Sequence, residues 1–242
     1  MQKSRSQALV IFDGDDTLWR TMPLYVDAKR RFFALVSELV PTASGIEEEF
    51  EERDRANVAR WGFTIERFRN SMVETYRERV ARAGEKTQFN REEQISRIAA
   101  SVMRRRAATM GYAKTALERL APSFRLVLLT KGEYELQNRR IAESGLKRFL
   151  ERSMIVDHKD AGAFRQLVAE LKVNPRLAWS VGDSLRSDIG PALAAGLRAV
   201  WFPQKTWSYE EDVPFGTQGR FAQIGSLREL PRLLGDALKE EA

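Results

Sequence analysis

The chain has no cysteine and a single histidine, His158, among its 242 residues. Without thiols it can form no disulfide, no zinc–thiolate site and no cysteine nucleophile, and one histidine cannot build a histidine metal cage. Any catalysis must therefore rest on Asp, Glu, Lys, Ser or Thr side chains.

The sequence also lacks a long hydrophobic run. No apolar segment reaches the roughly 20 residues that a membrane-spanning helix needs. The run 8–12, which follows Lys3 and Arg5, is too short for a signal peptide and is not followed by its small-residue cleavage site. We expect a cytoplasmic protein with no membrane partner.

Charge of one sign is in modest excess, with a net charge of +6 from 40 Lys and Arg against 34 Asp and Glu. This excess favours anionic ligands, and the three arginines at 104–106 raise nucleic acid as an alternative ligand. Three successive helical residues point in three directions, however, so we interpret this run as a solvated helix face. We expect no nucleic-acid partner.

Three carboxylates crowd into four residues directly after the apolar run 10–12. They are Asp13, Asp15 and Asp16. Charges this close repel one another unless a cation or a shared proton offsets them. A hairpin turn is disfavoured here, because Leu18 and Trp19 lead into helical periodicity. We interpret the run as a first β-strand whose carboxyl end carries a ligand site, as in α/β sheets.

Hydrophobic periodicity divides the chain into two kinds of sequence. Residues 21–110 are helical throughout, whereas short strands alternate with helices after about residue 115. The predicted strands are 124–129, 153–156, 177–181 and 199–202, and the predicted helices are 134–144, 161–171, 188–195 and 227–234. This alternation predicts an α/β core of residues 1–20 and 111–242, with a parallel sheet between helices, and an all-helical insert of residues 21–110. We expect the segment 207–210 to be a loop whose aromatic residues pack.

Polar residues and a glycine follow three of the later strands, at the ends where such sheets bind ligands. They are Thr130, Lys131 and Gly132, then Lys159, then Asp183 and Asp188. A hydroxyl and successive backbone N–H groups before a helix suit an anion. Each position alone is weak evidence, but their order and placement together are specific.

These residues resemble the motifs of the haloacid dehalogenase superfamily of hydrolases. Its first motif, a strand followed by Asp-x-Asp-x-Thr, stands at 13–17. Its second, a strand and then Ser or Thr, stands at Thr130, and its third, a lysine before a helix, at Lys159. Its fourth, Gly-Asp followed after four residues by Asp, stands at 182–188.

The resemblance covers residues 8–20 and about 115–235. It implies a Rossmann-like parallel-sheet core. It also implies that residues 21–110 form an all-helical cap of the C1 type, although here the likeness is one of position and residue type and not of motif.

The resemblance implies an Mg²⁺-dependent phosphatase that hydrolyses a small phosphomonoester, a phosphorylated metabolite, through an aspartyl-phosphate intermediate. Asp13 is then the nucleophile and a metal ligand. Asp15 is the general acid and later the general base, and its backbone carbonyl is a further metal ligand. Asp183 is a metal ligand as well.

The phosphoryl group is implied to be held by Thr130 and Lys159, with help from the backbone N–H groups of Lys131 and Gly132. Asp188 has three possible roles: it reaches the metal through water, orients Lys159, or caps its helix. The Lys131 ammonium either contacts the substrate or pairs with Asp188 or Glu133.

Two ionisable residues next to these motifs, Asp16 and His158, are given no chemical role. We expect Asp16 to face solvent or to cap the turn in which it lies. We expect His158 to be a surface or loop residue.

Asp15 separates two branches of the superfamily. Members that cleave carbon–halogen bonds do not carry this second aspartate, because a departing halide needs no proton. Two alternatives to a phosphatase stay open, namely a phosphomutase of the same superfamily and a catalytically idle binding protein on the same fold. The identity of the substrate and the oligomeric state do not follow from the sequence.

Overall fold

The computed structural model describes residues 8–40, 44–204 and 221–239. The chain divides into two compact units, one formed by Met1–Met22 with Ala107–Ala242 and the other by Pro23–Arg106. The segment 207–210 lies outside the described residues.

Eight strands are described, six of which form one parallel sheet. They are β1 (Leu9–Phe12), β2 (Trp19–Arg20), β3 (Ala108–Thr109), β4 (Arg125–Lys131), β5 (Arg152–Val156), β6 (Ala178–Gly182), β7 (Arg198–Trp201) and β8 (Ala222–Gln223). The sheet order is β5-β4-β1-β6-β7-β8, and every pairing within it is parallel. The predicted α/β fold with a Rossmann-like parallel sheet is confirmed.

Nine α-helices are described. They are α1 (Met22–Leu39), α2 (Ile46–Trp61), α3 (Ile65–Arg82), α4 (Phe89–Arg104), α5 (Ala113–Leu120), α6 (Tyr134–Ser144), α7 (Ala161–Glu170), α8 (Gly190–Ala194) and α9 (Leu230–Lys239). Two 3₁₀ turns, Lys147–Phe149 and Pro175–Leu177, and a π-helix, Leu185–Ile189, complete the description.

The central strand β1 is apolar at all four positions, and all four side chains are buried. A strand needs apolar residues on both faces when helices cover both sides of a parallel sheet. On one face, Leu9 and Ile11 pack with Val127 and Leu129 of the neighbouring strand β4 and with Phe164 of α7. This packing holds the carboxyl ends of the central strands in fixed positions.

The second unit contains helices α2 to α4 and most of α1. Aromatic rings of Phe32, Phe50 and Phe68 pack in its interior at centroid distances of 5.8–5.9 Å. An ion pair between Asp54 and Arg67 is also buried there, with a separation of 2.5 Å. Burial of such a pair requires close partners for both charges, which the short contact supplies.

Leu18 and Trp19 were predicted to lead into helical periodicity, and α1 begins at Met22, but a short strand that was not predicted precedes it. Trp19 and Arg20 form β2, which pairs antiparallel with β3 in the register Trp19↔Thr109 and Arg20↔Ala108. This two-stranded ribbon joins the two places where the chain leaves and re-enters the first unit. A two-residue strand is too short to produce a period, so the hydrophobic pattern could not reveal it.

Other differences lie at element ends. The predicted helix 188–195 is a π-helix followed by α8, and the predicted helix 227–234 is α9, which begins three residues later. Helix α5 and strand β8 were not predicted. No helix in the described part of the chain is long and apolar enough to cross a membrane. The cytoplasmic location stays a prediction from the sequence.

The ribbon of β2 and β3 predicts that the first unit folds without residues 23–106. Its two cut ends are already adjacent, so a short Gly/Ser linker from Met22 to Ala107 should close the chain at little entropic cost. We expect the shortened protein to show a cooperative thermal transition by circular dichroism. A soluble product that melts without a cooperative transition would contradict this expectation.

Candidate active site

Three buried carboxylates meet at the carboxyl ends of two neighbouring strands. Asp13 directly follows β1, Asp183 directly follows β6, and the Asp13 N–H donates to the Val181 carbonyl at 2.9 Å. Asp188 joins them from the π-helix, and one oxygen from each of the three carboxylates lies within 4.8 Å of the others. The parallel pairing of β1 and β6 thus brings together residues that are 170 positions apart along the chain.

The π-helix aims Asp188 back at the end of β6. The Ser184 N–H donates to Asp188 Oδ2 at 3.0 Å, and the Ser187 N–H donates to Ser184 Oγ at 2.9 Å. Ser184 is therefore the residue that caps this helix, and the alternative that Asp188 is a helix cap is wrong. π-helical turns are rare and occur frequently at functional sites.

Gly182 leaves the space that the Asp188 side chain occupies. A Cβ atom added at Gly182 would lie 2.5 Å from Asp188 Cβ and closer still to its carboxylate. Contacts this short do not occur between real side chains, so the glycine of the fourth motif is needed for steric reasons.

Lys159 lies between two of the carboxylates. It follows β5 in sequence, and its buried Nζ donates to Asp13 Oδ1 at 2.6 Å and to Asp188 Oδ1. Burial acts to lower the pKa of Lys159, but the charges of Asp13 and Asp188 outweigh it and raise the pKa above its ordinary value. Lys159 is therefore a cation, and of the three roles open for Asp188, contact with Lys159 is present in the structure.

One ammonium does not offset three buried carboxylates. Burial, with the charge of Asp188, raises the pKa of Asp13 to about 7 in spite of Lys159. Burial and the charges of Asp13 and Asp188 raise the pKa of Asp183 well above its ordinary value. The cluster therefore has an excess of negative charge that an additional cation would neutralise.

The donor set fits a hard divalent cation such as Mg²⁺. Asp13, Asp183 and Asp188 offer only carboxylate oxygens, which Mg²⁺ prefers, and no sulfur or imidazole nitrogen lies among them. The Asp15 side chain is not part of this group. Its predicted contribution is the backbone carbonyl, and that stays a prediction.

Two threonines lie beside the carboxylates. Thr130, on β4 next to β1, is buried, and its Oγ1 lies 3.2 Å from the point where a Gly14 Cβ would be. Thr17 Oγ1 donates to Asp183 Oδ1 at 3.5 Å. Thr130 is thus close to the Asp13 loop, where its predicted role requires it to be.

The loop after Thr130 differs from its prediction. The Gly132 N–H donates to the Val156 carbonyl at 3.1 Å. This donor is engaged within the protein, and the geometry does not support its predicted contact with a phosphoryl group. The Lys131 ammonium donates to Ser187 Oγ at 2.7 Å, which places it beside the π-helix. His158 is exposed in the loop between β5 and α7, as expected.

Asp16 is buried, so the expectation that it faces solvent is wrong. Its backbone is left-handed, with φ of 58°, and its carboxylate accepts from the Thr21 and Met22 N–H groups at 2.9 and 3.0 Å. Thr21 Oγ1 donates to it at 2.6 Å. The Asp16 carboxylate thus accepts hydrogen bonds from backbone donors at the start of α1. Of the two roles expected for Asp16, capping is the one that the structure shows, and the capped donors lie five and six residues further along the chain.

The Asp15 side chain lies outside the group of three clustered carboxylates and accepts hydrogen bonds from three side chains. Trp19 Nε1 donates to its Oδ1 at 2.7 Å, Gln137 Nε2 donates to its Oδ2 at 2.9 Å, and Arg140 Nη1 donates to its Oδ2 as well. None of these three donors was predicted from the sequence. A usable signal was present, since Gln137 and Arg140 are polar residues three apart beside the apolar positions of a predicted helix.

The close approach at Gly182 predicts that Gly182→Ala lowers the free energy of unfolding by about 1–3 kcal/mol, the usual cost of overpacking. Chemical denaturation measures this value. Gly235→Ala is the matched control, because no atom lies within 4 Å of a Cβ added there in α9. The control should be neutral or stabilising by about 1 kcal/mol, since alanine favours a helix interior. Equal stability of Gly182→Ala and the native protein would contradict the steric account.

The sequence profile of the haloacid dehalogenase-like hydrolases matches residues 8–196. A comparison with curated protein sequences gave no match. Solved structures with the same fold include a haloacid dehalogenase-like family hydrolase from Xanthomonas campestris, with 24% identity, a TM-score of 0.81, and coverage of 100% of this chain and 97% of that chain.

Two further similar structures belong to enzymes of different named activity. A 2-haloacid dehalogenase from Pseudomonas syringae has 21% identity, a TM-score of 0.62, and coverage of 95% of this chain and 99% of that chain. A predicted phosphoglycolate phosphatase from Haemophilus somnus has 17% identity, a TM-score of 0.61, and coverage of 94% and 98%. At these identities the likeness shows the fold alone. With the profile match over residues 8–196, the chain belongs to the haloacid dehalogenase-like hydrolase family.

Proposed function

We propose that this hydrolase is an Mg²⁺-dependent phosphatase that acts on a small phosphomonoester through an aspartyl-phosphate intermediate. One observation carries the proposal: a second carboxylate, Asp15, lies two residues after Asp13, held by side chains of its own and with 30% of its side chain exposed. Cleavage of a phosphate ester needs a proton for the leaving oxygen, whereas a departing halide needs none. Asp15 is a group that can supply this proton.

The residues of the chain divide the reaction between them. An Asp13 oxygen attacks phosphorus, and the bond from phosphorus to the leaving oxygen breaks while Asp15 gives that oxygen a proton. Asp15 then takes a proton from a water molecule whose oxygen attacks phosphorus, and the bond between Asp13 and phosphorus breaks. This sequence returns both aspartates to their starting states and releases inorganic phosphate.

Lys159 and Thr130 supply charge and hydrogen bonds for the phosphoryl oxygens. Lys159 is cationic and buried beside Asp13, where an ammonium stabilises developing negative charge more than it would in water. Thr130 adds a hydroxyl donor from the neighbouring strand. Both residues also contact or adjoin the Asp13 loop, so they restrict the orientation of the nucleophile.

A magnesium ion would be held by Asp13 and Asp183, with Asp188 adjoining and the Asp15 backbone carbonyl as a predicted further ligand. When bound, such an ion neutralises charge between a carboxylate and a phosphate dianion. Burial raises the pKa of Asp13 to about 7, so this carboxyl would be only partly ionised at neutral pH. A nucleophilic carboxylate must be ionised, and a bound cation would lower its pKa, which supports this assignment.

Dehalogenation is the competing activity within the family, and Asp15 argues against it. A phosphomutase would use the same residues and return the phosphoryl group to a substrate oxygen instead of water, so it stays an alternative. The helical unit 23–106 is proposed to be the cap that gives substrate selectivity. The small phosphorylated metabolite itself and a cytoplasmic location are likewise proposals.

The direct test of the proposal is release of phosphate from p-nitrophenyl phosphate with and without Mg²⁺, run beside release of halide from a 2-haloacid. We expect Mg²⁺-dependent phosphate release and no halide release. Asp13→Asn keeps the volume of the side chain but removes the nucleophile, so we expect it to lower phosphate release by at least about 10³-fold. Halide release, or phosphate release that Asp13→Asn leaves intact, would contradict the proposal.

A further inference from the structure

Three buried side chains donate hydrogen bonds to the Asp15 carboxylate. We name Trp19, Gln137 and Arg140 the Asp15 clamp. Their exposed fractions are 1%, 2% and 4%, whereas the Asp15 side chain is 30% exposed. The clamp therefore holds the carboxylate from its protein side and leaves its other side open.

The clamp is connected by a hydrogen bond to the strand that carries Thr130. Gln137 and Arg140 lie three residues apart on α6 and so share one helix face. Gln137 Nε2 donates both to Asp15 Oδ2 and to the Lys131 carbonyl, at 2.9 and 3.0 Å, which ties α6 to the end of β4. The position of Asp15 is thus coupled to the strand that carries Thr130.

The Trp19 ring fixes the backbone between the two aspartates. It lies so close to Gly14 that a Cβ there would be 2.5 Å from a ring carbon. The N–H groups of Leu18 and Trp19 both donate to the Gly14 carbonyl, at 2.8 and 3.1 Å. The separation of Asp13 from Asp15 is therefore set by a tight turn that the indole covers.

Burial of an arginine costs free energy unless its charge is paired and hydrogen-bonded. Arg140 points its guanidinium at a carboxylate that is partly open to solvent and could be hydrated without it. The charge-assisted hydrogen bond from Arg140 is directional, so it holds one rotamer of the carboxylate.

We propose that Arg140, assisted by Gln137 and Trp19, is a positioning residue that sets the direction in which Asp15 delivers its proton. This inference rests on the proposed phosphatase function. General acid catalysis requires hydrogen-bond reach to the leaving oxygen, so a carboxylate that turns among rotamers delivers its proton less often. The loss should be largest for a leaving group that needs the proton most.

The experiment compares phenyl phosphate with p-nitrophenyl phosphate, whose leaving group is the more acidic phenol. Single-turnover rates of phenol release report the first chemical step. We expect Arg140→Gln to slow phenyl phosphate by at least about tenfold and p-nitrophenyl phosphate by less than about threefold, part of the roughly 10²–10⁴ that a general acid contributes. A general structural defect would slow both esters by the same factor.

Arg139→Gln is the matched control, since Arg139 is the same residue type one position earlier on α6 and pairs with Glu143 on the surface. It should leave both rates unchanged. In an Asp15→Asn background, Arg140→Gln should not change the ratio of the two rates further, because the group that it positions is gone.

Trp19→Phe and Arg140→Lys keep the inference testable if Arg140→Gln fails to fold. The first removes one donor but keeps an aromatic ring, and the second keeps the charge but loses the planar fork. Both should change the ratio of rates in the same direction as Arg140→Gln, by a smaller factor. A native ratio in every folded clamp variant overturns the inference, and so does a change of ratio that persists without Asp15.

A different result would show that the proposed phosphatase function itself is wrong. In that case the native protein releases no phenol from either ester with Mg²⁺, and the role of the clamp falls with it. If the native protein turns over both esters and Arg140→Gln behaves as Arg139→Gln does, the phosphatase proposal stands and the positioning role alone is rejected.

Discussion

The repulsion among Asp13, Asp183 and Asp188 is the interaction on which the rest of the site depends. Three buried carboxylates with a single ammonium between them would be costly in an apolar protein interior. Lys159 offsets part of the repulsion. The pKa values of Asp13 and Asp183 are still raised, because burial and the neighbouring carboxylates outweigh its charge. This excess of negative charge makes the site suitable for a bound cation.

The parallel sheet makes this crowding possible. Strands β1, β4 and β6 are neighbours and end at the same edge, so residues far apart along the chain converge there without long loops. Gly182 then makes room for Asp188, and Gly14 makes room for Trp19. Each glycine has an identifiable neighbour with which a Cβ would clash, so both positions need glycine for steric reasons.

Secondary-structure elements could be predicted where their hydrophobic pattern was long and regular. Helix α6 was predicted with its observed ends, because apolar spacing and Gly145 marked it clearly. The ribbon of β2 and β3 has two residues per strand and produces no period. The burial of Asp16 was missed for another reason: it depends on the left-handed backbone of that residue and on where α1 begins, which are properties of the folded chain.

For the site, Asp13, Asp183 and Lys159 follow strands as predicted, because strand ends can be located from apolar runs. Thr130 instead lies within β4, and Asp188 lies in the π-helix. The sequence could not locate the donors to Asp15. A hydrogen bond between Asp15 and Arg140 joins residues 125 positions apart, and its existence depends on how α6 packs against the turn after β1. Likewise, the engagement of the Gly132 N–H by Val156 follows from strand pairing and not from the local motif.

Covalent trapping of the intermediate tests the central claim most directly. The native protein would be mixed with Mg²⁺ and p-nitrophenyl phosphate, quenched during turnover and treated with borohydride, which reduces an acyl phosphate to an alcohol. Peptide mass spectrometry should then find residue 13 converted from aspartate to homoserine, and residues 15, 16, 183 and 188 unchanged. Modification at another aspartate, or turnover with no modification at residue 13, would contradict the account.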